Sequence, residues 1–202
     1  MRSRFPAIVF GLLLAFSSSS SASAQDTEWT DLFANRLKDW SRFGDGASPW
    51  HFTEEGILKG DRGPEVIIPE REFRDGTLRF EYRFRSNDKE SGYKAAVWVR
   101  RTQQERGCKI ALGDDCGMLT AVVQGGSDRV KVIEQKPAIK VAREPGYWNL
   151  VSIRLDGKSV KVWINSRQVC SFSDCETDKG LFGLELEGSE IEFRRVMWKE
   201  SK

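Results

Sequence analysis

Residues 78–85, which read LRFEYRFR, decide the fold of this chain. Apolar or aromatic side chains alternate with charged ones along all eight positions, which is the period of a β-strand with one buried face. A helix would spread both kinds of side chain around one cylinder and would bury charge. The stretch therefore predicts a strand in a sheet that packs on one side only, with Glu81 and Arg83 on its outer face.

Similar patterns and frequent turn residues continue on both sides of this strand. The clearest hairpin is 148–165, in which Asp156 and Gly157 form the tight turn between two alternating strands. A bulge is expected near Arg194 and Arg195, and residues 103–115 are expected to form a long polar loop. Further strands are predicted at 50–60 (a hairpin), 66–69, 95–101, 118–124, 130–134, 138–142 and 168–172, with a final hairpin of 180–187 and 190–199. So many short strands without an amphipathic helix predict an all-β fold, a two-sheet sandwich of jelly-roll type.

The first 24 residues have the features of a secretory signal peptide. A basic start precedes an apolar run at 7–16, and small residues at 22–24 form a cleavage site before Gln25. We expect cleavage after Ala24, a secreted or periplasmic protein, and one domain over 25–202. The apolar run is too short to span a bilayer and no later segment is apolar enough, so an integral membrane protein is not expected.

The charge balance argues against nucleic acid as a partner. The chain has 32 Lys and Arg and 30 Asp and Glu. Removal of Arg2 and Arg4 with the leader leaves 30 of each sign, so the mature chain is neutral. Nucleic-acid-binding domains generally carry a basic excess, which this chain lacks.

Four cysteines occur as two couples that are close in sequence, Cys108 with Cys116 and Cys170 with Cys175. Cysteines in an exported protein favour disulfides. Pairing within each couple is the simplest of three connectivities, and the sequence leaves the other two open. A metal site is the weaker alternative because neither spacing is C-x-x-C and the chain has one His.

The order of several motifs resembles a known family. Residues 28–40, EWTDLFANRLKDW, resemble a W-x-x-L-F-N-G-x-x-L-x-x-W opening, and 146–165 is similar to its G-x-W-N segment. Residues 50–60 and 76–85 resemble the family's first strands, and 180–196, GLFGLELEGSEIEFRRV, resembles its final G-x-I-G-L-Q-x-H-G segment. Together they resemble the DUF1080 family, the 3-keto-disaccharide hydrolase (3-keto-glucoside 1,2-lyase/3-keto-2-hydroxy-glucal hydratase) domain.

This resemblance implies a concanavalin A-like sandwich and a role in exported carbohydrate metabolism. Glu185 and Glu187 stand where the family has Gln and His, and Arg100 matches the arginine of its middle signature. Elimination from a 3-keto-glycoside requires a base, an acid and a group that holds the enolate. The candidate catalytic residues are Glu81, Arg100, Glu185 and Glu187, and the candidate substrate-binding residues are Arg83 and Trp98.

Each candidate role has a geometric condition. Glu185 and Glu187 are two apart on one strand and share a face. If Glu81 lies on that face, three carboxylates converge around one pocket and a divalent cation becomes possible. Trp98 would stack on a sugar ring only if it is exposed. Cross-strand charge pairing is the alternative for the Glu and Arg residues.

Three functions remain open at this point. The first is a hydrolase or lyase that acts on 3-keto-glycosides or related sugars. The second is a non-catalytic carbohydrate-binding sandwich of the cell envelope that uses the same face. The third is a structural or interaction module without a sugar site.

Overall fold

The computed structural model describes residues 28–61, 63–85, 92–126 and 129–201. The predicted signal peptide, 1–24, lies outside these ranges. Within them, no helix is long and apolar enough to cross a membrane. The strands are β1 (Thr30–Asp31), β2 (Trp40–Phe43), β3 (Trp50–Phe52), β4 (Leu58–Gly60), β5 (Pro64–Pro69), β6 (Gly76–Phe84), β7 (Ala95–Arg101), β8 (Gly107–Ala111), β9 (Leu119–Gln124), β10 (Val130–Gln135), β11 (Asn149–Asp156), β12 (Ser159–Ile164), β13 (Arg167–Phe172), β14 (Leu181–Glu187) and β15 (Ile191–Glu200).

These strands form two antiparallel sheets. The eight-stranded sheet has the order β13-β12-β11-β6-β15-β4-β3, and β1 pairs with β15. The seven-stranded sheet has the order β10-β9-β8-β7-β14-β5-β2. Buried side chains from both sheets make one hydrophobic core. The prediction of an all-β, two-sheet sandwich is therefore confirmed.

Strand β6 occupies the position that its alternation predicts. It lies inside the eight-stranded sheet between β11 and β15. Leu78, Phe80, Tyr82 and Phe84 are all buried, and the Phe80 ring packs 6.0 Å from that of Phe193 on β15. Each such side chain contributes about 1.5–3 kcal/mol on burial, so this stripe is a major source of the sandwich's stability.

The structure corrects two expectations about where strands lie. Strand β8 lies within 103–115, which was expected to be a loop; Cys108 and Ile110 point into the core and are fully buried. Residues 138–142 form no strand, because their backbone makes single hydrogen bonds and not the regular series of a β-ladder. The Ala138 amide donates to the Val169 carbonyl, and Asn165 Nδ2 donates to the Val141 carbonyl.

The last two strands are not a hairpin. Strand β14 pairs with β5 and β7, whereas β15 pairs with β4 and β6 in the other sheet. The turn at Gly188 therefore carries the chain from one sheet to the other. The predicted bulge is confirmed, because the β15–β6 register shifts between Arg194 and Met197 and Arg195 has a φ of 52°.

Candidate functional site

The outer face of the eight-stranded sheet carries Glu81, and its carboxylate is already paired. Arg194 Nε lies 2.6 Å from Glu81 Oε2, and Arg195 Nη1 lies 3.1 Å from Oε1. Both carboxylate oxygens therefore have cationic partners from β15. This arrangement is the cross-strand charge pairing that the sequence offered as the alternative role for Glu81.

Arg83 belongs to the same paired surface. Its Nε lies 2.5 Å from Glu192 Oε2, and its guanidinium carbon lies 4.5 Å from the centroid of Trp148. Arg194 stacks on the same indole at 4.0 Å. Two guanidiniums therefore contact Trp148, and the ionic groups around Arg83 bind one another.

The structure does not bring Glu81 together with Glu185 and Glu187. Glu81 lies on β6 of the eight-stranded sheet, and the other two lie on β14 of the seven-stranded sheet. The expected arrangement around a single pocket is therefore wrong, because the core separates the two outer faces. Among the described residues, no group of three or more His, Cys, Asp or Glu side chains could hold a metal ion.

The buried side chain of Arg100 links the two sheets by hydrogen bonds. Strict alternation along β7 would put Arg100 on the face of Trp98, but its φ of 55° breaks that alternation, and its side chain has no exposed surface. Nη1 donates to the Phe73 carbonyl at 3.0 Å, and Nη2 donates to Asp75 Oδ1 at 2.9 Å and to the Gly157 carbonyl at 2.8 Å. These bonds use the guanidinium structurally and keep it away from the outer face.

The outer face of the seven-stranded sheet brings together Trp98, Lys109, Glu185 and Glu187, which we call the Trp98 cluster. Trp98 Nε1 donates to Glu185 Oε2 at 2.7 Å. Lys109 Nζ lies 2.9 Å from Glu185 Oε2 and 2.6 Å from Glu187 Oε1. The prediction that Glu185 and Glu187 share a face is thus confirmed, and both face the same ammonium.

Lys109 is the member of this cluster that the sequence analysis missed. It lies on β8, within the segment expected to be a loop. The available signal was the alternation of Cys108, Lys109 and Ile110, which places one charged residue outward between two buried ones. Partial burial acts to lower the pKa of Lys109, but hydrogen bonds to Glu187 and Glu185 outweigh it and the pKa is raised. Lys109 is therefore a cation at neutral pH.

An aromatic and cationic row extends from the Trp98 cluster toward the sheet edge. The Arg101 guanidinium carbon lies 5.8 Å from the Trp98 ring and 5.7 Å from the Phe43 ring. Phe43 is 53% exposed. Phe43 and Arg101 also line a cleft of about 570 Å³ whose other walls include Glu70, Gln103 and Lys179. This volume and polar lining suit a small hydrophilic ligand.

A second cavity opens at one end of the sandwich. It has a volume of about 480 Å³, and its walls include Tyr82, Tyr93, Cys116 and Asn149. None of the candidate catalytic or substrate-binding residues lines it. The surface on which predicted site residues converge is therefore the Trp98 cluster.

The cysteines do not meet in the couples expected from their spacing. All four are thiols in the structure. Cys108 Sγ lies 3.1 Å from Cys175 Sγ, while Cys116 Sγ lies 3.0 Å from the Tyr82 hydroxyl. Strand β8 separates Cys108 from Cys116, which explains why closeness in sequence does not become contact.

Comparison with solved structures defines the class of fold. A proposed glycosyl hydrolase from Parabacteroides distasonis superposes with a TM-score of 0.63 at 20% identity, over 86% of this chain and 100% of that one. The carbohydrate binding module CBM66 from Bacillus subtilis gives 0.58 at 18% identity, over 80% and 96%. The Bacillus licheniformis beta-glucanase gives 0.57 at 9% identity, over 89% and 100%. The fold is a jelly-roll sandwich of the concanavalin A-like type, as predicted.

The sequence places the chain within that class. The sequence model of the 3-keto-alpha-glucoside-1,2-lyase-like domain family matches residues 28–199. No curated protein is significantly similar to the chain. Since the match spans nearly every described residue, the chain belongs to this family and is a carbohydrate-related domain.

Proposed function

We propose that this domain binds carbohydrate on the outer face of its seven-stranded sheet, with Trp98 as the stacking platform. The observation that carries the proposal is the hydrogen bond of 2.7 Å from Trp98 Nε1 to Glu185. It holds the indole by its edge on an outward-facing position. Aromatic faces stack on the apolar faces of sugar rings, so a fixed indole provides an ordered surface for one.

The groups around Trp98 suit the hydroxyls of a sugar. Glu185 and Glu187 accept hydrogen bonds and Lys109 donates them, whereas the guanidinium of Arg101 is buried and paired with Glu105. Lys109 Nζ and the Arg101 guanidinium carbon each lie 5.8 Å from the Trp98 ring centroid. Family membership and the fold shared with a carbohydrate binding module support the same ligand class.

A matched pair of tryptophan variants tests this proposal. Trp98 and Trp148 are both half-buried and lie on outer faces of opposite sheets. The protein would be titrated with a 3-keto-glucoside and with its unoxidised parent glucoside, by calorimetry. We expect Trp98→Ala to abolish saturable binding and Trp148→Ala to retain it. Loss of binding in Trp148→Ala alone would place the sugar on the other sheet and refute the proposal.

A second candidate function is elimination of the glycosidic group from a 3-keto-glycoside on the same cluster. The contact of 2.9 Å between Lys109 Nζ and Glu185 Oε2 favours it, because a proton acceptor and a cation lie side by side. In this reaction Glu185 would take the proton from C2, next to the keto group. The C2–H electron pair would form a C2=C3 enolate, whose oxygen Lys109 would stabilise. The enolate would then return to the 3-ketone as the C1=C2 double bond forms and the C1–O bond breaks, and the departing oxygen would take back the proton held by Glu185.

Release of p-nitrophenol from the 3-keto derivative of p-nitrophenyl glucoside measures this reaction directly. Turnover that is lost in Glu185→Gln and kept in Glu81→Gln would assign the chemistry to the Trp98 cluster. Saturable binding without any release of p-nitrophenol would leave binding as the function. A parallel assay with a chelator tests whether the reaction needs a divalent cation, which the sequence left possible.

The expectation of export, with cleavage after Ala24, is also part of the proposal. It is tested by N-terminal sequencing of the protein recovered from the periplasm or medium.

A further inference from the structure

Two cysteines from different parts of the sandwich touch inside the core. Cys108 lies on β8 of the seven-stranded sheet, and Cys175 follows β13 of the eight-stranded sheet. Their Sγ atoms are 3.1 Å apart, 67 residues apart in sequence, and both residues are buried. We propose that Cys108 and Cys175 form a disulfide that ties the two sheets together. This inference does not depend on the proposed sugar site.

The local partner of Cys108 is out of its reach. Cys116 lies beyond the far end of β8, where the Gly117 amide donates to the Ala111 carbonyl. Ala111 lies three residues further along the strand than Cys108, which is about 10 Å at roughly 3.3 Å per residue. A disulfide requires Cα atoms within about 7 Å. Cys108 and Cys116 therefore cannot be joined without breaking up β8.

The local partner of Cys175 is held in a different place. Cys170 lies within β13, opposite Val162 of β12. The chain leaves β13 after Phe172, and the Cys175 amide donates to the Lys158 carbonyl at 3.1 Å. This bond anchors Cys175 at the start of β12, where its side chain points toward β8. Cys170 is fixed in the ladder opposite Val162, which is four residues further along the chain than Lys158.

The contact also shifts the pKa values of the two thiols in opposite directions. The contact with Cys108 lowers the pKa of Cys175 most, and the nearby charge of Arg100 lowers it further. The same contact, together with burial, raises the pKa of Cys108. In the folded arrangement the thiolate is therefore favoured on Cys175 rather than on Cys108.

The oxidant is an external disulfide, and the exchange balances in two steps. The Cys175 thiolate attacks one sulfur of the reagent and displaces its other half as a thiolate. Cys108 then loses its proton and attacks the Cys175 sulfur, which releases the second half of the reagent. The protein loses two electrons and two protons, and the reagent is reduced to two thiols. Because both cysteines are buried in the completed sandwich, the reagent has to reach them before folding is complete.

The position of the bond has a consequence for the outer face. Cys108 points into the core, and the next residue, Lys109, points outward into the Trp98 cluster. A covalent link at Cys108 would therefore fix β8 directly beneath the ammonium that Glu185 and Glu187 share.

Peptide mapping tests the connectivity on the unmodified sequence. The protein is refolded with oxidised and reduced glutathione, blocked with iodoacetamide, and digested with trypsin and an Asp-specific protease. Cleavage after Lys109 and before Asp114 and Asp174 places each cysteine on its own peptide. We expect a peptide containing Cys108 linked to one containing Cys175. A Cys108–Cys116 or Cys170–Cys175 link, or alkylation of both Cys108 and Cys175, would overturn the proposal.

Thermal unfolding tests the stabilising effect separately. In a Cys116→Ser, Cys170→Ser background, a phosphine reductant should lower the Tm by roughly 5–10 °C, as expected for one disulfide closing a long loop. Adding Cys175→Ser should remove this response to the reductant. No response in the background, or one that survives Cys175→Ser, contradicts the proposal. If the background does not fold, the peptide map of the unmodified chain still decides it.

Discussion

Trp98 and Glu185 are joined across neighbouring strands by a hydrogen bond of 2.7 Å from Nε1 to Oε2. Strands β7 and β14 pair in this region, and the cross-strand partner of Trp98 is Gly183. That partner has no side chain to cover the indole, so the ring is held at its edge by Glu185. Removing the acceptor should release the ring while leaving the sheet intact.

The first prediction distinguishes the role of Glu185 as hydrogen-bond acceptor for Trp98 from the role of its negative charge. Glu185→Ala should weaken binding of a 3-keto-glucoside by about tenfold or more, because a hydrogen bond to a charged group contributes about 1.5–3 kcal/mol. Glu185→Gln should retain much of the affinity, since its amide oxygen can still accept from Trp98. Isothermal titration calorimetry measures both. Glu187→Gln, which removes a partner of Lys109 and not the acceptor of the Trp98 hydrogen bond, is the control and should change the affinity less than Glu185→Ala. Equal losses in all three variants would show that Trp98 orientation is not the determinant.

The second prediction concerns Arg100. Arg100→Met keeps an unbranched apolar side chain at this position but removes three hydrogen bonds, to the Phe73 and Gly157 carbonyls and to Asp75. At about 1 kcal/mol each, their loss should lower the free energy of unfolding by about 3 kcal/mol. Urea denaturation measures this change, and calorimetry should show that sugar affinity is retained. Arg154→Met, at an exposed arginine on β11, should change stability by less than about 0.5 kcal/mol. If Arg100→Met is stable but no longer binds sugar, Arg100 takes part in sugar binding and the structural role assigned to it here is wrong.

The fold class could be predicted from the sequence because a strand with one buried face alternates apolar and polar residues. The apolar stripe of β6 and the turn at Gly157 can be recognised from a few adjacent residues. Which of the two sheets a strand joins, however, depends on pairing with strands that are distant in the sequence. Alternation indicates that Glu81 and Glu185 both point outward, but a sandwich has two outer faces. Long-range pairing alone places them on opposite ones.

Arg100 and Lys109 show why the composition of the Trp98 cluster could not be predicted from the sequence. The positive φ of Arg100 turns its side chain into the core, although the pattern of β7 places it outward with Trp98. Lys109 lies on a five-residue strand flanked by polar residues, so the surrounding composition hid its alternation. A single backbone irregularity and a short strand thus decided which side chains form the Trp98 cluster.

The third prediction tests the role of Glu81. Its carboxylate is paired with Arg194 and Arg195 near the surface, so Glu81→Gln should cost about 1 kcal/mol of stability or less. Sugar binding and any release of p-nitrophenol should be unchanged. Urea denaturation and the two functional assays measure these quantities, and Glu185→Gln is the matched variant on the other sheet. Loss of activity in a folded Glu81→Gln protein would restore the catalytic role first considered for this residue.

The last prediction is a pH dependence that belongs to Lys109. Burial acts to lower the pKa of Lys109 in the folded protein, but hydrogen bonds to Glu187 and Glu185 and the charges of these carboxylates together outweigh it, so the pKa is raised. The unfolded chain has the ordinary lysine value of about 10.4. The folded state therefore binds this proton more tightly. The resulting stability is fully present below about pH 10 and is lost as the pH rises through the folded value.

Lys109→Met removes this contribution and isolates it from other groups that titrate in base. The difference in urea midpoint between the parent protein and Lys109→Met should be constant from pH 7 to about pH 10 and should shrink above it, because only the parent loses a proton from this site. Lys161→Met, at an exposed lysine on β12, controls for the general effect of removing a positive charge. A difference that stays constant or grows up to pH 11.5 would mean that Glu185 and Glu187 do not hold the Lys109 ammonium, and the Trp98 cluster would then lack its central cation.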